Sequence, residues 1–260
     1  MTVGSAPARL RRRLEVMGTV FTLDLVTDLP EAELAPGIDD AFAWLRWVDD
    51  TFSTYKPGSE ISRLRRGELS PEQCHTEVRG VLAACRQLTE ETEGYFDAWA
   101  GPTRALDPSG LVKGWAAERA SGMLSAAGAT DHCLNAAGDI ALAGAPAPGQ
   151  PWRIGIAHPL VPQRLTTVVA VGEGGVATSG TAERGCHVVN PHTGRPAVGL
   201  ASVTVIGPSL AAADAYATAA VAMGTDAPVW LSSLDGYESF VLDAAGHLWR
   251  SAGFAALQVA

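Results

Sequence analysis

At 260 residues, with 47 % hydrophobic and 18 % charged side chains, the chain has the composition of a folded globule with a sizeable core. Its formal charge of −9 excludes a general nucleic-acid binder, whose phosphate contacts require a basic face. No apolar run nears the roughly 20 residues that span a bilayer, so no membrane span is expected.

The chain opens with a basic patch, Arg9 with Arg11, Arg12 and Arg13, in a segment expected to be flexible over residues 1–13. The stretch after these arginines does not have the pattern of a secretory leader. Leu14–Val26 carries Glu15 and Asp24 and alternates as a half-buried strand or hairpin. The first cysteine is Cys74, so a lipoprotein cysteine is also missing and the expected location is cytoplasmic. Glu31–Asp50 has the helical spacing Leu34, Ile38, Ala41, Phe42, Leu45, Val48. A loop broken at Pro57-Gly58 leads to Ser59, which has the chemistry of an N-cap for a short helix. Helices are predicted over Glu77–Glu93, stopped by Gly94, and over Leu111–Ala127, stopped by Gly128. Strands are predicted at His132–Ala136, Trp152–Ala157, Leu165–Val171, His187–Asn190 and Ser202–Ile206. A small-residue helix spans Leu210–Met223, and strands near Phe240–Leu242 and His247–Trp249 end the chain. Hairpin-like strands with segregated helices make an α+β fold, with residues 14–260 as one domain or two intimate lobes.

Two segments carry chemistry. In LDPSGLVKG, Leu106–Gly114, Asp107 precedes a helix, Gly110 lies at its mouth and Lys113 in its first turn. A helix entrance with a lysine suits an anionic phosphate. In DAYAT, Asp214–Thr218, a carboxylate and a hydroxyl four residues apart share one helix face. Hard oxygen donors of that kind suit Mg²⁺, and a lone carboxylate among alanines needs a cation or hydrogen-bond donors. The cysteines Cys74, Cys85, Cys133 and Cys186 have no CxxC spacing and read as buried or idle thiols. His75, His132, His158, His192 and His247 have no partner spacing, and no HExxH exists for zinc.

Nine motifs in register make the chain resemble the ApbE family of FAD:protein FMN transferases. They are Met17–Thr19 (MGT), Ser53–Ile61, Gly94–Asp97 (GxFD), Leu106–Gly114, Asn135–Ile140, Trp152–Ile156, Thr178–Gly180 (TSG), His187–Pro196 and Ala213–Thr218. The resemblance implies an ApbE-like fold and an enzyme that moves the FMN part of FAD onto a threonine or serine hydroxyl of an acceptor flavoprotein, releasing AMP. The cofactor set it implies is FAD as substrate with Mg²⁺, or Mn²⁺ in its place. Flavin and nucleotide contacts would come from Met17, Tyr55, Tyr95, Phe96, Asp97, Asp107, Lys113, Thr178, His187 and Val188. The metal would be held by the Gly110 and Ala217 carbonyls, Asp214 and Thr218. Catalytic roles would fall to His187, Lys113 and Asp97, with His187 taking a proton. With water as acceptor the same site would be an FAD pyrophosphatase; a flavin-binding protein without catalysis is the third reading. The chain departs from the family pattern at Ala137, where a glycine is usual, and at Cys186, Asn190 and Glu118.

Overall fold

The structure is a computed structural model that describes residues 7–100, 104–180 and 188–259. The chain begins with a hairpin, β1 (Ala8–Val16) and β2 (Thr19–Thr27), so Ala8–Arg13 are strand, not the flexible segment expected there. The helices α1 (Glu31–Phe52), α2 (Glu60–Arg65), α3 (Thr76–Glu91) and α4 (Ser109–Ala126) follow. Ser59 does cap α2, its hydroxyl accepting the Ser62 N–H at 3.0 Å. Next come β3 (Asp131–Ala136), β4 (Asp139–Ala143), β5 (Trp152–Ala157), β6 (Leu165–Val171) and β7 (Gly174–Gly180). Two short strands, β8 (Val189–Asn190) and β9 (Arg195–Pro196), precede β10 (Leu200–Gly207) and α5 (Leu210–Met223). The last elements are α6 (Ala227–Leu231), β11 (Glu238–Asp243), β12 (Leu248–Arg250) and α7 (Phe254–Leu257).

Among the described residues, eight strands form one sheet in the order β1-β2-β3-β4-β7-β10-β11-β12, with every neighbouring pair antiparallel. Alternation along the strands splits the sheet into two apolar faces. On one, Leu134, Ala141, Ala177, Val203 and Val205 pack with the apolar sides of α1, α4 and α5. On the other, Ile140, Leu142, Val176, Ile206 and Phe240 meet Trp152, Ile154 and Val169 of the separate β5–β6 ribbon and Phe254 of α7. The α+β expectation holds: the long helices α1, α4 and α5 lie against one face of an antiparallel sheet, and the short α7 joins the ribbon on the other.

The sheet edge is protected by charge. Arg11 pairs with Asp24 across the hairpin at 2.7 Å, and Arg12 reaches Glu31 on α1. Charged side chains on an edge strand discourage pairing with another chain.

His132 links α4 to β3 from a fully buried position. One ring nitrogen lies 2.7 Å from the Ser121 hydroxyl and the other 2.6 Å from the Ala129 carbonyl. Burial pushes its pKa below the ordinary histidine value, because the imidazolium would lose its hydration. The unfolded chain therefore protonates first, and stability present above about pH 6.5 is lost as pH falls towards the folded pKa. The urea midpoint should fall between about pH 7 and about pH 5, and fall less steeply in His132→Gln. Equal slopes in both proteins would assign the effect to other groups.

The described thiols are held in their protonated form. Burial raises Cys74 to about 11 and Cys85 and Cys133 to about 12, which agrees with idle thiols. Cys186 lies outside the described residues.

Candidate active site at one end of the sheet

Strand register gathers the motifs at one end of the sheet. The β1–β2 turn is Met17-Gly18 and the β3–β4 turn is Ala137-Gly138; Phe21 opposite Ala136 puts both turns on the same end. Asp139 opens β4 there, and β7 arrives with Thr178, Ser179 and Gly180. Both turns need positive φ at their two central residues, 54° and 67° in the first, 52° and 101° in the second. That is the two-residue hairpin geometry which favours glycine or asparagine. Ala137 adopts it at the position where the family pattern has glycine, and the Asn135 side chain supports the turn by accepting the Gly138 N–H at 2.8 Å.

The helices α4 and α5 bring the two chemical segments together. They run antiparallel in close register, because glycines on α4 face the functional side chains of α5. The Gly114 N–H donates to Asp214 Oδ2 at 3.0 Å. A Cβ on Gly114 would stand 2.8 Å from the Asp214 Cβ and 2.8 Å from the Leu210 carbonyl oxygen. One turn towards the N-terminus, a Cβ on Gly110 would lie 3.5 Å from the Thr218 methyl and 3.2 Å from the Phe96 ring. One turn further along α4, Glu118 Oε2 accepts the Ser209 hydroxyl and the Ala211 N–H, both at 2.8 Å, and so caps the start of α5. Glutamate at this departure from the family pattern therefore performs a helix-capping task.

Gly110, Phe96, Asp214 and Thr218 are thus neighbours. Asp214 is 3 % exposed. The Gly114 N–H is the donor that helix geometry directs at the Gly110 carbonyl, and it also reaches Asp214, so the Gly110 oxygen keeps lone-pair capacity. Thr218 Oγ1 lies 3.3 Å from the Ser179 hydroxyl. These are hard oxygen donors of the kind a small divalent cation takes. Among the described residues no group of three or more His, Cys, Asp or Glu side chains gathers as a metal cage. The set contains one carboxylate, so a cation here would draw much of its coordination from oxygens of its ligand.

Lys113, the fifth residue of α4, makes an ion pair with Asp139 at the start of β4. Asp139 is fully buried, and its other oxygen accepts the Thr178 N–H at 3.1 Å. Asp139 faces the helices while its neighbours Ile140 and Leu142 face the ribbon, as strand alternation requires. This anchoring carboxylate is within reach of sequence reasoning, since it belongs to the Asn135–Ile140 motif, but nothing in the sequence shows that Lys113 would find it.

Asp97 Oδ1 accepts the Trp99 N–H at 2.8 Å, closing a turn. Asp107 Oδ1 accepts the Ser109 N–H at 3.1 Å at the entrance of α4. Met17, Tyr95 and Val188 are half-buried against the main core. Tyr95 meets His192 edge-on with ring centroids 4.4 Å apart, and the His192 ring nitrogen is 3.1 Å from the Glu93 carbonyl. His192, a residue without partner spacing, so ties the Gly94–Asp97 segment to the turn after β8. Thr178 lies on the sheet face away from α4 and α5, its hydroxyl 2.9 Å from that of Thr204. Ser179, which the sequence did not single out, is the residue of that motif beside Thr218. Ala217 is buried and Tyr55 is 94 % exposed. His187 lies outside the described residues.

A sequence model of the ApbE family matches residues 17–106 and 100–241 of this chain. A protein of Vibrio cholerae serotype O1 named FAD:protein FMN transferase is 27 % identical, over 81 % of this chain and 80 % of its own. Among solved structures, the flavin transferase ApbE from Vibrio cholerae superposes with a TM-score of 0.83 at 23 % identity, covering 96 % of this chain and 99 % of that one. The apbe protein of Thermotoga maritima gives 0.84 at 20 % identity, covering 97 % and 100 %. At these identities the two structures establish the likeness of fold.

Proposed function

The chain belongs to the ApbE family, and from that membership we propose that it is an FAD:protein FMN transferase working at the sheet end just described. The observation that carries the reading is the α4–α5 register, in which Gly110 faces Thr218 and Gly114 faces Asp214 beside the Lys113–Asp139 pair.

In the proposed reaction a hydroxyl oxygen of an acceptor threonine or serine attacks the phosphorus on the FMN side of FAD. The new P–O bond forms as the P–O bond to AMP breaks, and AMP leaves. The diphosphate would lie at the mouth of α4, where first-turn N–H groups and the Lys113 ammonium favour negative charge. An ammonium has three donors, so Lys113 can keep Asp139 and still meet a phosphate oxygen. The Gly110 and Ala217 carbonyls, Asp214 and Thr218 would hold Mg²⁺, or Mn²⁺ in its place. When bound, that ion neutralises charge developing on the diphosphate oxygens.

The proton of the attacking hydroxyl is assigned to His187, on the family pattern. The carboxylates nearby have other partners: Asp97 accepts the Trp99 N–H and Asp107 that of Ser109. Phe96, beside Gly110, would pack against the bound nucleotide and keep water from the helix mouth.

Incubating the protein with FAD and Mg²⁺, with and without an acceptor flavoprotein domain, tests the proposal. Covalent flavin fluorescence on the acceptor with one AMP per attachment is the expected result. Free FMN plus AMP, in the acceptor's presence, would make the enzyme a pyrophosphatase. Unchanged FAD would leave a flavin-binding protein.

A further inference from the structure

Only one face of the β5–β6 ribbon is covered. Trp152, Ile154 and Ile156 pack inward, while Arg153, Gly155 and Ala157 alternate with them and point out. The Leu165 side chain lies across Gly155 on the outer face. Leu160 and Val161 stand at the tip between the two strands, and Leu248 of β12 faces the ribbon across a cleft bordered by Thr166 and Thr167. Leu160, Val161, Leu165 and Leu248 are each between 40 % and 58 % exposed. A single exposed leucine is ordinary, but a group of apolar side chains at a hairpin tip marks a contact surface.

The same surface is poor in acid. Residues 140–172 and 244–260 contain three arginines and no aspartate or glutamate, in a chain whose formal charge is −9. The two segments are joined. The Val259 N–H donates to the Val168 carbonyl at 3.0 Å, the Gln258 amide to the Thr167 hydroxyl at 3.0 Å, and Arg250 to the Gln258 side-chain oxygen. Two bordering carboxylates are engaged, Asp243 with His247 at 2.9 Å and Glu238 with the Ser251 hydroxyl. Arg153 and Arg164 make no ion pair among the described residues. Unpaired cations beside exposed apolar side chains suit a surface that is anionic outside and apolar beneath.

The backbone of the tip favours lipid over an approaching strand. The His158 N–H donates to the Arg164 carbonyl at 2.7 Å, the Arg164 N–H to the Val161 carbonyl at 3.3 Å and the Leu160 N–H to His158 Nδ1 at 3.1 Å. Pro159 and Pro162 have no N–H to offer. Few donors remain for pairing with another chain, and few lose a partner when the tip leaves water. We propose that the β5–β6 tip is a peripheral contact site for a bilayer containing anionic phospholipid. Leu160, Val161 and Leu165 enter the headgroup boundary, and Arg153 and Arg164 meet lipid phosphates. Such contact requires neither FAD nor an acceptor, so it stands apart from the flavin-transfer reading.

Cosedimentation with sucrose-loaded vesicles tests this, using phosphatidylcholine alone or mixed with an equal part of phosphatidylglycerol. The wild type should partition onto the anionic vesicles at least about tenfold more strongly than onto the zwitterionic ones, and added salt should weaken binding. Two double variants, Leu160→Asn with Val161→Asn and Arg153→Gln with Arg164→Gln, should each lower partitioning at least about fivefold. All four side chains are exposed, so melting temperatures should stay near that of the wild type. Arg9→Gln with Arg13→Gln removes the same charge from β1 and should bind within about twofold of the wild type. No pelleting of the wild type, or an equal loss from the β1 variant, would overturn the proposal. So would a wild-type dimer in analytical ultracentrifugation that Leu160→Asn with Val161→Asn dissolves, since the tip would then be an interface between two copies.

Discussion

Asp214→Asn should keep the fold and lose turnover. The amide oxygen can still accept the Gly114 N–H that the carboxylate accepts at 3.0 Å, so the α4–α5 contact survives. The negative charge does not survive, and it is the one charge in a donor set otherwise made of a hydroxyl and carbonyls. AMP release from FAD at saturating Mg²⁺ should fall by at least about 100-fold, the scale on which charge-stabilising groups in water-poor sites act. Asp214→Ala should lose activity and stability together, because it removes the buried hydrogen bond from the Gly114 N–H to a charged acceptor on α5, a contribution of about 1.5–3 kcal/mol. The pair of variants separates the two roles of one side chain. Near-normal turnover in Asp214→Asn would remove Asp214 from the metal site.

The second large effect is expected at Asp139. Its carboxylate is fully buried, pairs with Lys113 and takes the Thr178 N–H. Breaking a buried pair by deleting one partner costs about 3–5 kcal/mol, since the other charge is left uncompensated. Lys113 is 24 % exposed, so water can recover part of its hydration, and a loss of about 2–3 kcal/mol is expected for Asp139→Ala. Urea unfolding measures it. A double-mutant cycle with Lys113→Met should show a coupling of about 1 kcal/mol or more, and additive losses would mean that the pair is not an energetic unit. Turnover should fall as well, because Lys113 would no longer be held at the helix mouth.

Much of this arrangement is legible in the sequence where periodicity is strong. The apolar spacing of Glu31–Asp50 marks a helix that runs to Phe52, and Leu210–Met223 has its predicted limits. Two central strands escape such a reading. Asp139–Ala143 is too short and too uniformly buried to show alternation, and Gly174–Gly180 is rich in glycine, which propensity assigns to loops. The glycines of the second strand answer to tertiary contacts. A Cβ on Gly175 would lie 2.5 Å from the Leu210 Cα, and one on Gly180 2.4 Å from the Ala201 carbonyl oxygen. Such approaches between elements distant in sequence leave no local signal.

The site divides in the same way. The i, i+4 spacing of Asp214 and Thr218 could be read directly, as could the lysine at a helix entrance. That Gly110 and Gly114 repeat the same spacing on the facing helix is visible only once the two are packed together. The partner of Lys113 and the orientation of Ser179 rather than Thr178 towards Thr218 both depend on register between elements. Sequence pattern fixes which face a residue occupies, and only packing decides what stands opposite.

The most direct test of a shared nucleotide and metal site is diffraction from crystals grown with ADP and Mn²⁺, using the manganese anomalous signal. One peak is expected between α4 and α5, about 2 Å from an Asp214 oxygen and from Thr218 Oγ1, with phosphate oxygens reaching it from the mouth of α4 beside Lys113. Manganese and nucleotide bound elsewhere on the molecule, with Asp214 still holding only protein donors, would contradict it.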